Sequence, residues 1–183
     1  MLKNPRFYYV ALLLGAIVVA IDQATKIWAL NALNDGRTID LIGPWLGLKL
    51  TFNAGASFSF GDSFTWFFTL FAAVFSIGVP IYMRRVSSPG ALMTLGVVWG
   101  GAVGNLIDRL FREPGFPNGH VVDFIKYADW FIGNVADIAL VGGLAAFVLV
   151  DYVLIKRGHK DVDDEEDSDE DLVESEAVEG NDE

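Results

Sequence analysis

Four long apolar segments are the feature of this sequence that most restricts its fold. They lie at about residues 7–30, 64–83, 91–111 and 135–155. A helix of roughly 20 residues, rising about 1.5 Å per residue, crosses a hydrocarbon core of roughly 30 Å. The connection at residues 31–63 contains short β-type runs separated by turn residues. We therefore expect an all-α membrane protein with four transmembrane helices and a small extracytoplasmic β-sheet lying on the membrane surface.

Charge is distributed so unevenly that the net value of -11 describes only one end of the chain. Of the 24 acidic residues, 14 lie at residues 161–183, where there is no Lys or Arg. Residues 1–160 carry 13 basic and 10 acidic groups, a net charge of +3. An acidic run with so few apolar residues cannot bury enough surface to fold. We predict a four-helix domain at residues 1–158 and a disordered acidic tail at residues 159–183, with a binding tail as the alternative.

Basic residues next to the apolar segments set the expected topology. Three clusters flank the segments: Lys3 and Arg6, Arg84 and Arg85, and Lys156, Arg157 and Lys160. Four spans place all three clusters on one side, which the positive-inside rule makes cytoplasmic. Both termini are then cytoplasmic. A basic start before an apolar core also fits a cleavable signal peptide, but Asp22-Gln23 inside the run favours a retained helix.

Residue usage limits the chemistry that the chain can perform. Cysteine is absent and there are only two histidines. The absence of cysteine excludes disulfides, thiolate metal sites and a cysteine nucleophile. Two histidines leave few residues from which to build a histidine-based zinc site or a Ser-His triad. We expect no cofactor, no resident metal and no nucleic-acid partner.

Four carboxylates from separate segments are expected at one depth. Asp22 lies some 15 residues into the first segment, roughly 22 Å from its cytoplasmic start. Asp108 ends the third segment on the outer side, Asp137 opens the fourth, and Asp123 lies in the outer connection. Acids within a membrane are candidates for function and normally face the bundle interior. Their convergence predicts a site near the extracytoplasmic face.

Asp123 and Asp137 are the pair without an obvious local cation, although Lys126 follows Asp123 by three residues. Asp123 stands in the apolar run V-V-D-F-I. An ionised carboxylate there is costly unless it is paired, shared or used chemically. Two such groups can hold one proton and one water between them, and can cut a peptide bond without serine, cysteine or metal.

Structural interpretations compete with functional ones at the other acids. Asp22 and Lys26 are four residues apart, which is typical of a helical ion pair. Asp108 stands beside Arg109, which predicts a pair there. A row of glycines at 96, 100 and 104 continues into Asp108, which predicts close helix packing and an inward-facing carboxylate.

Three asparagines are further candidate members of the site. Asn105 lies one turn from Asp108 and Arg109 and can join them in a local hydrogen-bonded cluster. Asn134 shares a helix face with Asp137 at a spacing of three. Asn53 is either a turn residue or a ligand for a peptide backbone, and both remain open.

Five motifs occur in order on the four-segment frame: D-Q-A-T-K (22–26), F-N-A-G-A-S-F (52–58), G-G-A-V-G-N-L-I-D-R (100–109), V-V-D-F (121–124) and N-V-A-D (134–137). From about residue 7 to 155 the chain closely resembles lipoprotein signal peptidase, the type II signal peptidase of bacteria. The resemblance implies a bacterial cytoplasmic-membrane aspartic endopeptidase that cleaves prolipoproteins just before a diacylglyceryl-modified cysteine.

The resemblance also implies roles for particular residues. Asp123 and Asp137 match the catalytic pair of the family. The supporting or substrate-binding positions correspond to Asp22, Asn53, Asn105, Asp108, Arg109 and Asn134. Two departures are Gly133, where the family usually has Phe, and the acidic tail, which is outside the family core. The expected partners are lipidated prolipoproteins and membrane lipids, and the expected state is a monomer.

Other classes of function remain as alternatives. Asp22, Asp108, Asp123 and Asp137 could ligate a divalent ion for metal-dependent hydrolysis. Buried acids also occur in small transporters and proton channels, although a relay needs polar groups through the full membrane thickness and the inner halves here are apolar. A structural membrane subunit leaves the convergence of acids unexplained. Within the peptidase interpretation, the outer sheet clasps the substrate and the loop at residues 112–119 acts as a mobile lid.

Overall fold

The computed structural model describes residues 2–55 and 65–156. The described residues form these helices and strands in chain order: α1 Pro5–Ala32, β1 Ile39–Ile42, β2 Leu46–Asn53, α2 Thr65–Met83, α3 Pro89–Phe111, β3 Val121–Tyr127, β4 Phe131–Gly133 and α4 Val135–Lys156. The predicted acidic tail lies outside the described residues, as does the end of the F-N-A-G-A-S-F motif. Internal contacts divide the chain into two units, Met1–Phe147 and Val148–Glu183, and the structure describes the second only to residue 156.

All four helices are long and apolar enough to cross a membrane, which confirms the prediction of four spans. The helices α1 and α3 each begin two residues before the predicted apolar segments. Both begin at a proline, Pro5 and Pro89, whose missing N–H is not needed in a first helical turn. Ser88 caps α3 by accepting a hydrogen bond from the Ala91 N–H at 3.3 Å. Apolar patterning alone does not detect the less apolar residues in the first turn, so it predicted the start of α1 and of α3 two residues too late.

The predicted glycine row brings α3 against α1. A Cβ on Gly100 would lie 2.5 Å from the Gly15 oxygen, and a Cβ on Gly104 would lie 2.6 Å from Asp22 Oδ2. Only glycine permits this approach of the two helices. Asp108, the next residue of the row, is fully buried, as the stripe predicted.

A four-stranded antiparallel sheet with the order β1-β2-β3-β4 lies beside one end of the helices. Phe124 on β3 packs in a buried cluster with Ala29 and Leu33 near the end of α1. Asp123 pairs with Thr51 of β2, and β4 leads directly into α4. The sheet therefore places Asp123 beside the C-terminal ends of α1 and α3 and the start of α4.

Hydrogen bonds tie the loop at residues 112–119 to its surroundings. Thr69 Oγ1 on α2 donates to the Pro117 oxygen at 2.7 Å. Within the loop region, the His120 N–H donates to the Glu113 oxygen at 3.0 Å. The lid motion that the sequence suggested stays a prediction.

Candidate active site

A reciprocal cap fixes the start of α4 and the position of Asp137. The Asp137 N–H donates to Asn134 Oδ1, and the Asn134 N–H donates to Asp137 Oδ2, both at 3.0 Å. Such a pair satisfies two backbone N–H groups that a helix leaves unpaired at its N-terminus. A third N–H of this turn, that of Ala136, donates to Asp22 Oδ1 at 2.9 Å. The local sequence N-V-A-D thus begins the helix and holds its carboxylate at the helix entrance.

Asp123 is held by two side-chain amides. Its side chain is 1% exposed, and it accepts hydrogen bonds from Asn53 Nδ2 at 2.9 Å and Asn134 Nδ2 at 2.6 Å. Asn53 Oδ1 also accepts the Gly55 N–H at 2.7 Å, which is a turn bond. Asn53 is therefore a turn residue and a partner of Asp123 at the same time.

Asn134 joins the two carboxyl groups that the sequence predicted to pair. Its side-chain Nδ2 contacts Asp123, while its backbone N–H and its Oδ1 contact Asp137. Asp123 and Asp137 are close enough for the charge of one to affect the ionisation of the other. The fold thus brings an acid on β3 together with an acid on α4.

Burial is the largest influence on the Asp123 carboxyl group and raises its pKa from 3.8 to about 6. The hydrogen bond from Asn53 opposes this effect, and the charge of Asp137 adds to it. Smaller effects of Asn134 and Lys26 lower the pKa. A carboxyl group that titrates near 6 can exchange a proton close to neutral pH, as acid–base catalysis requires.

A fully buried lysine lies behind this pair. Lys26 Nζ contacts Asp22 Oδ2 at 2.8 Å, Asp108 Oδ2 at 2.7 Å and Asn105 Oδ1 at 3.0 Å. The predicted Asp22–Lys26 ion pair is present. Asn105 bonds across the bundle, because its Nδ2 donates to Asp137 Oδ1 at 2.8 Å. The local cluster predicted for Asn105 with Asp108 and Arg109 is therefore replaced by contacts to α1 and α4.

The bases that contact Asp108 differ from the sequence prediction. Asp108 is bonded to Lys26 and to Arg112 Nε at 2.5 Å, and it also accepts the Val122 N–H at 3.1 Å. Arg109 instead donates to the Ala54 oxygen at 3.4 Å and lies over the ring of Phe68, 5.6 Å from its centroid. Adjacent helical side chains point about 100° apart, which separates Arg109 from Asp108, whereas Arg112 follows it by one turn.

Comparison with known proteins places the chain in a family. A family model described as signal peptidase (SPase) II matches residues 14–153. The chain belongs to the signal peptidase II family. Its relatives include the lipoprotein signal peptidase of Mycobacterium tuberculosis (strain ATCC 25618 / H37Rv), which is 38% identical over 162 residues, or 86% of this chain and 80% of that protein. The lipoprotein signal peptidase of Rhodococcus jostii (strain RHA1) is 44% identical over 142 residues, or 78% of this chain and 71% of that protein.

A solved structure agrees with membership of the signal peptidase II family. The structure of a bacterial membrane enzyme, obtained by the in meso method at 2.3 Å resolution, superposes with a TM-score of 0.66 at 25% identity. The match covers 80% of this chain and 88% of that chain. The four-helix frame with its small sheet is therefore shared with a known membrane enzyme.

Two residues of this signal peptidase II family member, Gln23 and Arg112, are part of the polar network although the sequence prediction did not place them there. Lys26 was predicted only as the ion-pair partner of Asp22, and its contacts to Asp108 and Asn105 were not predicted. Gln23 Nε2 lies 3.1 Å from Asp22 Oδ2 and 3.2 Å from Asp108 Oδ1. Helical spacing could have found Arg112, which follows Asp108 by four residues, and the high cost of a buried cation could have found Lys26.

Lys126 has a different partner from the one the sequence allowed. Its ammonium lies 3.1 Å from Asp129 Oδ1 rather than on Asp123. Among the described residues, no group of three His, Cys, Asp or Glu side chains is arranged to hold a metal ion. Of the four predicted oxygen ligands, Asp22 and Asp108 share Lys26 instead.

An apolar groove of about 210 Å³ lies against the network from the side of the helices. It is lined by residues of α2, α3 and α4, namely Phe68, Phe71, Ala72, Phe75, Ala102, Asn105, Arg109 and Leu140. The polar members, Asn105 and Arg109, connect this groove to the carboxyl pair, because Asn105 bonds Asp137. A chain with an apolar part and a polar part can therefore reach the acids from this side.

Proposed function

We propose that this chain is a membrane aspartic endopeptidase that removes the signal peptide from diacylglyceryl-modified prolipoproteins, cleaving before the lipidated cysteine. Asp123 and Asp137 form the pair that activates water. The observation that carries this proposal is that one residue, Asn134, contacts both carboxyl groups. Family membership supports the substrate, since the relatives are lipoprotein signal peptidases.

In the proposed mechanism the two carboxyl groups share one proton near neutral pH and titrate as a unit. The ionised group takes a proton from a bound water, and this water attacks the carbonyl carbon before the lipidated cysteine. The protonated group donates a hydrogen bond to the carbonyl oxygen as it becomes tetrahedral. The pair then returns a proton to the leaving amine, and the peptide bond breaks.

The supporting residues keep the carboxyl groups in place during these steps. Asn53, Asn105 and Asn134 donate hydrogen bonds to the pair, so they fix the direction of its oxygens. Asp22 and Asp108 hold the helix ends that carry these groups together through Lys26. We propose that Arg109, at the groove and beside Ala54, contacts the substrate backbone.

The location of the pair suits a lipidated substrate. The diacylglyceryl chains stay in the bilayer while the scissile bond needs water, and a site at the membrane surface supplies both. We propose that the groove beside Phe71 and Phe75 receives the apolar part of the substrate, and that the sheet holds the peptide.

The same proposal places the protein in the bacterial cytoplasmic membrane with both termini in the cytoplasm and the site near the extracytoplasmic face. The Lys3 N–H donates to the Arg84 oxygen at 3.2 Å, so the N-terminus and the α2–α3 turn share one end. Basic residues at that end favour the cytoplasm. At the sheet, Trp45 and Trp130 are 66% and 81% exposed, as expected for aromatic side chains that contact membrane lipids.

Purified protein, incubated with a diacylglyceryl-modified precursor and with its unlipidated twin, tests the proposal. We expect a size shift of the lipidated precursor alone. Asp123→Asn and Asp137→Asn should reduce cleavage at least about 10³-fold while the protein stays folded and monomeric by light scattering. Asp129→Asn is the matched control, because this side chain is 96% exposed. Near-normal turnover by either dyad variant would end the assignment.

Two further arms separate the alternatives. Full activity in excess chelator is expected, and a loss that a divalent ion restores would favour metal-dependent hydrolysis. Proton flux in proteoliposomes without precursor cleavage would favour a transporter or channel. We also propose that residues 1–158 are the peptidase domain, so a chain ending at residue 158 should cleave at the full rate.

A further inference from the structure

The ammonium group of Lys26 has all of its hydrogen-bonding capacity occupied inside the protein. Its side chain is 0% exposed, and its three N–H groups face Asp22, Asp108 and Asn105. A buried lysine is costly unless it is paired and bonded in this way. Two carboxylates are enough to neutralise the charge, so the third bond, to a neutral amide, needs a separate explanation.

The bond from Lys26 fixes the orientation of the Asn105 amide. An ammonium group can only donate, so the Asn105 atom that faces it must be Oδ1. The Asn105 nitrogen is then turned to Asp137 Oδ1, 2.8 Å away, where it must donate. Lys26 thus determines that Asp137 receives a hydrogen bond from this direction.

The second amide of the network is oriented by the same argument. The backbone N–H of Asp137 can only donate, so Asn134 presents Oδ1 to it at 3.0 Å. The Asn134 nitrogen then lies 2.6 Å from Asp123 Oδ1 and 3.2 Å from Asn105 Oδ1. The path from Lys26 through Asn105 to Asp137 therefore runs in one direction, from the cation toward a carboxyl oxygen, while Asn134 donates both to Asp123 and to Asn105.

Several other charged or titratable groups face Lys26 or the pair. They are Asp22 on α1, Asp108, Arg109 and Arg112 on α3, and Tyr127 on β3. Asp108 is shared between Lys26 and Arg112. Burial raises the pKa of Asp123, and the charge of Lys26 is among the influences that oppose this rise. The field of Lys26 therefore reaches the pair despite its two carboxylate partners.

We propose that Lys26 is a positioning residue that sets the proton affinity of the Asp123–Asp137 pair through Asn105. This inference rests on the proposed function, because it concerns the same reaction. The positive charge and the oriented amide both favour negative charge on the pair, so they make each of its two protons easier to release. Removing the cation should therefore move the whole bell-shaped pH–rate profile to higher pH.

The pH dependence of kcat for the lipidated precursor tests this inference in Lys26→Gln and Lys26→Arg. We expect both limbs to move upward by about one pH unit in Lys26→Gln, so turnover on the acid side falls about tenfold while KM changes less than about threefold. Lys26→Arg keeps the charge and should keep the limbs in place. Lys156→Gln, at an exposed lysine on the last turn of α4, is the control. An equal loss at every pH would assign Lys26 a structural role and overturn the inference.

A second pair of variants, both carrying Asp22→Asn, tests the inference if Lys26→Gln alone does not fold. In Asp22→Asn and Asp22→Asn/Lys26→Gln, the remaining acid Asp108 keeps Arg112 as a partner, so no buried carboxylate is left without a base. These two variants differ only at residue 26. The pH–rate profile of the double variant should lie at higher pH than that of Asp22→Asn. Coincident profiles would overturn the inference. If the unsubstituted protein does not cleave the precursor at all, the proposed function has failed instead.

Discussion

Asn53 Nδ2 lies 2.9 Å from Asp123 Oδ2, although the two residues are 70 positions apart. The bond joins the end of β2 to the start of β3, where the strands pair at Asn53 and Val121. A turn residue on one strand thereby controls the ionisation of a buried acid on the next.

Replacing Asn53 tests this control. Asn53→Ala removes a donor that lowers the pKa of Asp123, so that pKa should rise further. We expect the acid limb of the pH–rate profile to move to higher pH and kcat at neutral pH to fall about tenfold. Asn31→Ala, at an exposed helical asparagine, is the matched control. An unchanged acid limb in Asn53→Ala would contradict the coupling.

The raised pKa of Asp123 also predicts how stability depends on pH. The folded protein holds this proton up to about pH 6, whereas the unfolded chain releases it near 3.8. The folded state binds more protons between these values, so the free energy of unfolding should fall as pH rises through them, by on the order of 3 kcal/mol. Thermal unfolding in detergent from pH 4 to 8 measures this. In Asp123→Asn the free energy of unfolding should fall less over this pH range. An equally steep fall in that variant would show that other groups cause it.

Gly104 is predicted to be essential for the contact between α1 and α3. A Cβ at this position would lie 2.6 Å from Asp22 Oδ2 and 3.4 Å from the Ala136 Cβ. Gly104→Ala should lower stability by about 1–3 kcal/mol because the packed helices must move apart. Gly142→Ala is the control, since a Cβ there has nothing within 4 Å and alanine is the better helix former. Equal melting temperatures for Gly104→Ala and the natural protein would contradict the packing described.

Asn134 combines a helix cap with a contact to Asp123, and two substitutions separate these roles. Asn134→Ala should lose both, with a stability loss of about 1–2 kcal/mol from the missing cap. Asn134→Ser keeps a capping oxygen but cannot reach Asp123, so we expect stability to recover and turnover to stay low. Melting temperature and cleavage rate, measured on the same samples, distinguish the two effects. Recovery of both in Asn134→Ser would show that the cap is the whole contribution of this residue.

The sequence predicted the parts of the fold that depend on local patterns. Apolar segment length predicted the four spans, and the glycine row predicted that Asp108 faces inward. Spacing predicted the Asp22–Lys26 ion pair. These predictions hold because helical period and burial act within a few turns of one chain.

Pairing across elements was predicted less well. The local patterns suggested Arg109 as the base for Asp108, but the bases are Lys26 and Arg112. Lys126 was a candidate partner of Asp123 and instead bonds Asp129. A sequence shows which charged side chains are available, while the direction in which each one points is set by helix rotation and strand register.

By itself the sequence determined a four-span membrane chain and predicted that acids from separate segments come together, because the cost of burying a charge restricts where such residues can occur. Only the tertiary structure decided that Asn134 contacts both Asp123 and Asp137, and that Lys26 orients Asn105. Hydrogen bonds act over about 3 Å, so their partners are fixed by the packing of α1, α3, β3 and α4 against one another.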